Sequence, residues 1–362
     1  DGGASFLAAA RPTINVNPAT LLPIHENFGL NPVMAPLMGV FNAGRLALLP
    51  TTGFPNGDRS HFAVQRKMDE GLDNGAVGSG WLARHLDNTP SVPGGLRAVS
   101  LPNGQRSLSG SSVSVTLNNT DTFRVEGYKN TAGSGAAVRA ALQDLHAVDA
   151  SKVVNQRAHE ALVALDVVNN APKSPPANGA VYPSTGRGQG LGRVLGDVAE
   201  LIRGDVGLEA VATEANFGWD LHEGFGDPLN GRQAQNLSAL AVVLAAFAQD
   251  LGDNINRVTV VLMTEFGRTF RENGGFGVDH GRASTMFVMG GGITGGMYGQ
   301  WPGLAAPNID GNALRVTVDY RSVLADILQY RLATANMAAV LPGYIDTPEK
   351  RLGLAKPLVP VV

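Results

Sequence analysis

"RQAQNLSALAVVLAAFAQDLGDNINRVTVVLMTE", residues 232–265, decides the fold. Residues 232–251 read as a strongly apolar helix, and "RVTVVLMTE" (257–265) reads as a buried strand that ends on an acidic residue, Glu265. The same alternation extends in both directions. Upstream, "RLALLPTTGF" (45–54) is a buried strand running into a turn and "VSVTL" (113–117) a short strand. "GAAVRAALQDLHAVDASKVVNQRAHEALVALDVV" (135–168) carries Ala, Leu and Val at helical spacing. A Pro/Gly/Ser loop follows at 171–190, read as a lid or a connector, then an amphipathic helix at 191–205 and an extended segment at 208–220. Downstream, "STMFVMGGG" (284–292) is a further buried strand. Strand, helix, strand at this spacing predicts an α/β fold with a mostly parallel central sheet and helices on both faces. The expected organisation is a single domain over 1–362, with a less regular insertion of helix and loop at about 95–190.

Composition narrows the function classes. With 362 residues, 44% of them hydrophobic, the chain can bury a large core. The net charge of -3 and the scattered 28 Lys and Arg point to neither nucleic acid nor an acidic membrane surface. Absence of cysteine excludes disulfides, thiolate nucleophiles and zinc–thiolate sites, so any metal must be held by O and N atoms. There is no run of roughly 18 apolar residues, and no membrane span is expected. The chain begins at Asp1 without Met or an apolar leader, which reads as a processed or truncated N-terminus.

In sheets of this kind functional residues gather where loops leave the strand ends. Asp220 and His222 follow one extended segment, Glu265 ends the next strand, and Ser60 with His61 lies just past the strand at 45–54. In "GWDLH" the two-residue spacing puts Asp220 and His222 on one side of an extended backbone, as two ligands of one ion require. "VDHG" adds Asp279 and His280 from a glycine-flanked loop. Carboxylates and imidazoles without thiols suit Zn²⁺, Mn²⁺ or another divalent ion in Lewis-acid chemistry. Plainer readings stand beside these. An Asp-His neighbour pair also occurs as a surface hydrogen bond, "GGFG" and "GGGITGG" as ordinary turns rather than anion cradles, and Ser60 as a helix cap. His61, adjacent to Ser60, is expected to point elsewhere or to act behind the site.

"FGWDLHEGF", "VTVVLMTEFGRTFRENGGFGVDHGRASTMFVMGGGITGGMYG", "GDRSHFAVQRKMDEG" with "GWLARHL", and the opening "DGG" together resemble the bacterial domain-of-unknown-function family fifteen-oh-one. Its members are sulfatase-like and usually carry a twin-arginine export signal. The family in turn resembles the alkaline phosphatase superfamily. That resemblance implies an alkaline phosphatase-like fold and one or two divalent ions (Zn, Mn, Mg or Ca). It also implies a small-molecule, glycan or lipid ester substrate and a periplasmic or extracellular location. By motif position it implies Asp1, Asp220, His222, Glu265 and His280 as metal ligands and Ser60 as nucleophile. Arg59 and Arg268 would clamp the equatorial oxygens of a phosphate or sulfate. Two departures follow. Phe266 stands after Glu265 where the superfamily has a histidine, so Asp279 either supplies the missing ligand or orients His280. The apolar strand expected before Asp1 is absent from the sequence, which would leave a sheet edge open.

Three functions follow: a metal-dependent hydrolase of phosphate or sulfate esters, a non-catalytic binding protein on the same fold, and a mutase-type phosphotransferase. Metal content separates the first two, and transfer to a second hydroxyl separates the first from the third.

Overall fold

The computed structural model describes residues 3–26, 28–90, 95–102, 104, 106–111, 113–127, 133–149 and 151–358, so the expectation for Asp1 lies outside the described residues. In chain order the elements that position the site are β1 (Leu46–Gly53), α1 (His61–Asp69), β2 (Ala98–Ser100), β3 (Ser114–Thr116), α2 (Ser134–Ala147), α3 (Val153–Asn170), α4 (Gln189–Arg203) and β4 (Ala210–Ala212). They continue with α5 (Arg232–Leu251), β5 (Val260–Leu262), β6 (Ser284–Met289), β7 (Gly296–Met297), β8 (Val318–Asp319) and α6 (Tyr320–Tyr330).

β1 is buried along its whole length because both faces of its sheet are covered. Leu46 and Leu48 point into one core with α4 and α5, while Ala47 and Leu49 point into another with α6. This two-sided cover makes the fold α/β. The direction of the strands differs from the mostly parallel expectation. In the main sheet β6 runs antiparallel to both β1 and β5, and β7 and β8 pair parallel with the other edge of β1. Parallel pairing is complete only in a second, three-stranded sheet ordered β3–β2–β4. Apolar runs record burial and not direction, which is why the sequence did not distinguish the two arrangements. Two of those parallel strands, β2 and β3, come from the 95–190 region, whose Leu96, Val99 and Leu117 share a core with Leu46 and Leu48.

The helical stretch at 135–168 forms two helices, α2 and α3, packed on each other. The break falls at "VDASK", where Asp149 accepts hydrogen bonds from the Ser151 amide and hydroxyl, a local turn that competes with helix. α5 starts and ends where its apolar pattern does. With its continuation to Asn256 it is the one helix among the described residues long and apolar enough to cross a membrane. Here it is half buried in protein and anchors polar contacts: Asp250 accepts from the Ala177 amide, from Tyr182 and from Arg203.

Candidate metal centre

Antiparallel pairing builds the site. β1 and β5 both finish at one end of the main sheet, and β6, running the other way, begins there, with Ser284 opposite Thr52 and Phe287 opposite Leu262. His61 opens α1 after β1, Glu265 follows β5, and Asp279 and His280 precede β6. Asp220 and His222 arrive on the extended chain after β4, in the neighbouring sheet. Four segments distant in sequence therefore deliver polar side chains to one point.

Ligand-competent atoms of His61, Asp220 and His280 all lie within 4.8 Å of one another. His61 Nε2 is 3.4 Å from Asp220 Oδ2, and His280 Nε2 is 3.2 Å from Asp220 Oδ1. His222 Nε2 stands 3.0 Å from both Asp220 Oδ1 and His280 Nε2. Each imidazole is held from behind through Nδ1. The acceptors are a Glu265 carboxylate oxygen for His61, Asp279 Oδ1 at 2.9 Å for His222, and the Arg59 carbonyl at 2.8 Å for His280. When the Nδ1 atoms carry the protons to these acceptors, the Nε2 of each neutral ring is the atom free to ligate an ion. The three Nε2 atoms stand around the Asp220 carboxylate, that of His222 on the side of His280, and His61 Nε2 is buried without a hydrogen bond among the described residues.

Burial pushes the Asp220 carboxyl up, but the hydrogen bond and charge of Arg268, with His222 and His280 behind, outweigh it and hold the group at about 2. Hydrogen bonds from the His222 ring and the Asn273 amide hold Asp279 below the ordinary carboxylate range. Phe266 closes the back of the site, its ring centroid 4.8 Å from that of His61 and 4.7 Å from that of His280. The front is open, with Asp220 and His222 side chains 46% and 44% exposed and both lining a cleft of about 380 Å³.

A family model described as "Protein of unknown function (DUF1501)" matches residues 20–348. The chain belongs to the DUF1501 family. No curated protein and no solved structure matches it.

Within this DUF1501 chain the expected residues take particular places. Asp220, His222 and His280 come together as described, whereas Glu265 and Asp279 sit one layer back, each on the Nδ1 of a histidine. Asp279 orients His222 rather than His280. Arg268 points into the cluster, its NH1 2.5 Å from Asp220 Oδ1. Arg59 contributes chiefly its carbonyl, and its guanidinium turns to the His280 carbonyl at 3.4 Å. Ser60 occupies the N-cap of α1 without a side-chain cap bond, and its exposed side chain lines a separate cavity of about 620 Å³ with Phe62, Arg66 and Arg106. Its hydroxyl makes no hydrogen bond among the described residues.

Sequence reasoning set His61 aside, and the structure places it at the centre. The signal was its position one residue past the cap of a helix that follows a buried strand. There a side chain faces the strand ends while that of its neighbour Ser60 faces away. Asn273 was also missed. Its amide donates to the His222 carbonyl at 2.8 Å and to Asp279 at 3.0 Å, and its oxygen accepts from the Gly275 and Gly277 amides. The pattern Asn273-Gly274-Gly275 marks it as a turn residue, and a turn is what it builds.

Proposed function

We propose that the cluster binds one divalent metal ion through Nε2 of His61, His222 and His280 and a carboxylate oxygen of Asp220, and that the protein is a metal-dependent hydrolase of phosphate or sulfate esters. The observation that carries the reading is the convergence of three Nδ1-anchored imidazoles on an ionised carboxylate, with His61 Nε2 buried and without a hydrogen bond among the described residues. With the protons on Nδ1, neutral rings in that arrangement would turn lone pairs towards a negative charge, and a cation between them would reverse the sign of those contacts. Oxygen acceptors behind ligating histidines are the usual support of such an ion.

A ligand set of three nitrogens and one oxygen suits Zn²⁺ or Mn²⁺ better than Mg²⁺ or Ca²⁺, which prefer oxygen. Bound there, an ion would supply Lewis-acid stabilisation to ester oxygens as charge develops on them. The chain's own groups would do the rest. Arg268 has donors left beyond its bond to Asp220 and can take a non-bridging oxygen, and Phe266 keeps water from the rear of the rings. Near-half exposure of Asp220 and His222 gives a substrate access that a closed structural site would deny.

The test is elemental analysis of purified wild type and His61→Ala, with a turnover screen of aryl phosphates, phosphodiesters and aryl sulfates. The expected result is about one equivalent of a divalent ion in the wild type, a substantial loss in His61→Ala, and hydrolysis in at least one substrate class. A folded wild type that binds no divalent ion, or a His61→Ala variant that keeps its full complement, sinks the reading.

A further inference from the structure

The cleft at the cluster has one cationic side chain that nothing in the site uses. Asp220, His222, Glu223, Arg232, Asn273 and Gly275 line it. The other arginines near the cluster are engaged: Arg268 with Asp220, Arg59 with the His280 carbonyl, Arg282 with Asp310 and the Pro55 carbonyl. The Arg232 guanidinium makes no hydrogen bond or ion pair among the described residues.

Its backbone position is fixed beside the cluster. Arg232 is the first residue of α5, and its guanidinium lies over Gly224, where an added Cβ would stand 3.9 Å from its NH1. Gly224 is two residues past His222 and has φ +58, so a side chain there would be strained as well as set against the guanidinium. The backbone around it is pinned on both sides. The Gly224 and Phe225 amides donate to the Gly275 and Phe276 carbonyls, and the Gln233 amide donates to the Phe225 carbonyl. The start of α5, the His222 loop and the 273–277 turn thus form one hydrogen-bonded unit, which fixes the Arg232 backbone relative to the cluster while its exposed side chain extends over Gly224 into the cleft. Glu223, the remaining charged group of the lining, sits against Gly275. It forms no ion pair with Arg232, and it disfavours an anion on its own wall.

We propose that Arg232 binds a second anionic group of the substrate. The cleft would then select esters that carry a carboxylate, or a further sulfate or phosphate, away from the ester that meets the cluster. This rests on the hydrolase reading above and gives it a substrate class. Guanidinium suits the task, because its planar donors pair with carboxylate, sulfate or phosphate oxygens two at a time. The cleft volume of about 380 Å³, near the lower end of ligand pockets (roughly 300–1,000 Å³), has room for a small molecule.

The experiment compares phenyl phosphate with 3- and 4-carboxyphenyl phosphate on metal-replete wild type and Arg232→Gln. It reads KM by turnover and affinity by calorimetry, with metal content checked for both proteins. We expect wild type to favour a carboxylated ester about tenfold in KM and affinity, and Arg232→Gln to lose that preference with its metal retained. Equal treatment of the esters by the wild type, absence of binding, or a preference that survives Arg232→Gln overturns the inference. If calorimetry shows the preference and its loss while no ester is hydrolysed, the subsite stands and the hydrolase reading fails.

Discussion

Ser60 and His61 show how much one peptide bond separates. The resemblance gave Ser60 the attacking role, yet its side chain lines a cavity apart from the cluster while His61 enters it. With Ser60 away from the cluster, solvent water is left to attack, and Ser60→Ala should keep most of its turnover and all of its metal. Loss of turnover with metal intact would return the role to the serine. Asp69 permits a second prediction at this scale. Burial lifts its carboxyl to about 7, with Glu214, Glu265 and Glu70 adding to the push and Arg106 opposing it. A raised folded pKa means that the folded state holds the proton more tightly than the unfolded chain does. Stability should therefore fall as pH rises from about 4 to about 7. Asp69→Asn should flatten that slope and gain on the order of 2 kcal/mol at pH 8 after solvent screening, as measured by urea unfolding at pH 4, 6 and 8. A slope unchanged by the substitution would refute this. The sequence made Asp220, His222, Glu265, Arg268, Asp279 and His280 legible because polar residues just outside apolar strands have few other uses. Which nitrogen of which ring faces which oxygen was not legible. That depends on tertiary geometry, and it is what moves Glu265 and Asp279 one layer behind the histidines.

The glycines of "EFGRTFRENGGFGVDHG" are explained at the level of elements. At three of these positions the segment runs so close to its neighbours that side chains do not fit: a Cβ on Gly267 would lie 1.9 Å from the Ala283 carbonyl oxygen, one on Gly277 2.3 Å from that of His222, and one on Gly281 2.4 Å from the Arg268 carbonyl. Gly277→Ala should push the His222 loop outward, lowering metal affinity by more than tenfold while leaving far-UV circular dichroism unchanged. Wild-type affinity in that variant would show that the loop yields without disturbing the ring. At this scale the sequence was most informative where one physical pattern runs uninterrupted, as in α5, and less so where a local side-chain bond interrupts it, as Asp149 does between α2 and α3. The antiparallel course of β6 could not be read from its own residues, although it is what brings His280 to the ends of β1 and β5.

For the whole molecule, two cores lie on opposite faces of the main sheet and the cluster sits at the sheet's end, outside both. Removing the ion should therefore lower stability without dismantling the fold. At a free-ion concentration a hundred times the Kd, the bound state gains about 2.7 kcal/mol. Chelation should accordingly lower Tm by on the order of 5 °C, and re-addition of Zn²⁺ or Mn²⁺ should restore it in calorimetric scans. A Tm indifferent to chelator and to added ion would contradict the metal reading at this scale. The α/β class was legible from buried runs alternating with helical ones, whereas strand order was set by pairings that no single run contains. The Nδ1 support of His280 comes from Arg59, 221 residues earlier in the chain, and this has a consequence for biosynthesis. During translation the first half of the centre leaves the ribosome long before the second half exists. On the metal reading an ion would therefore be captured at the end of folding, and its identity would be set by the metal supply of whichever compartment the finished chain folds in.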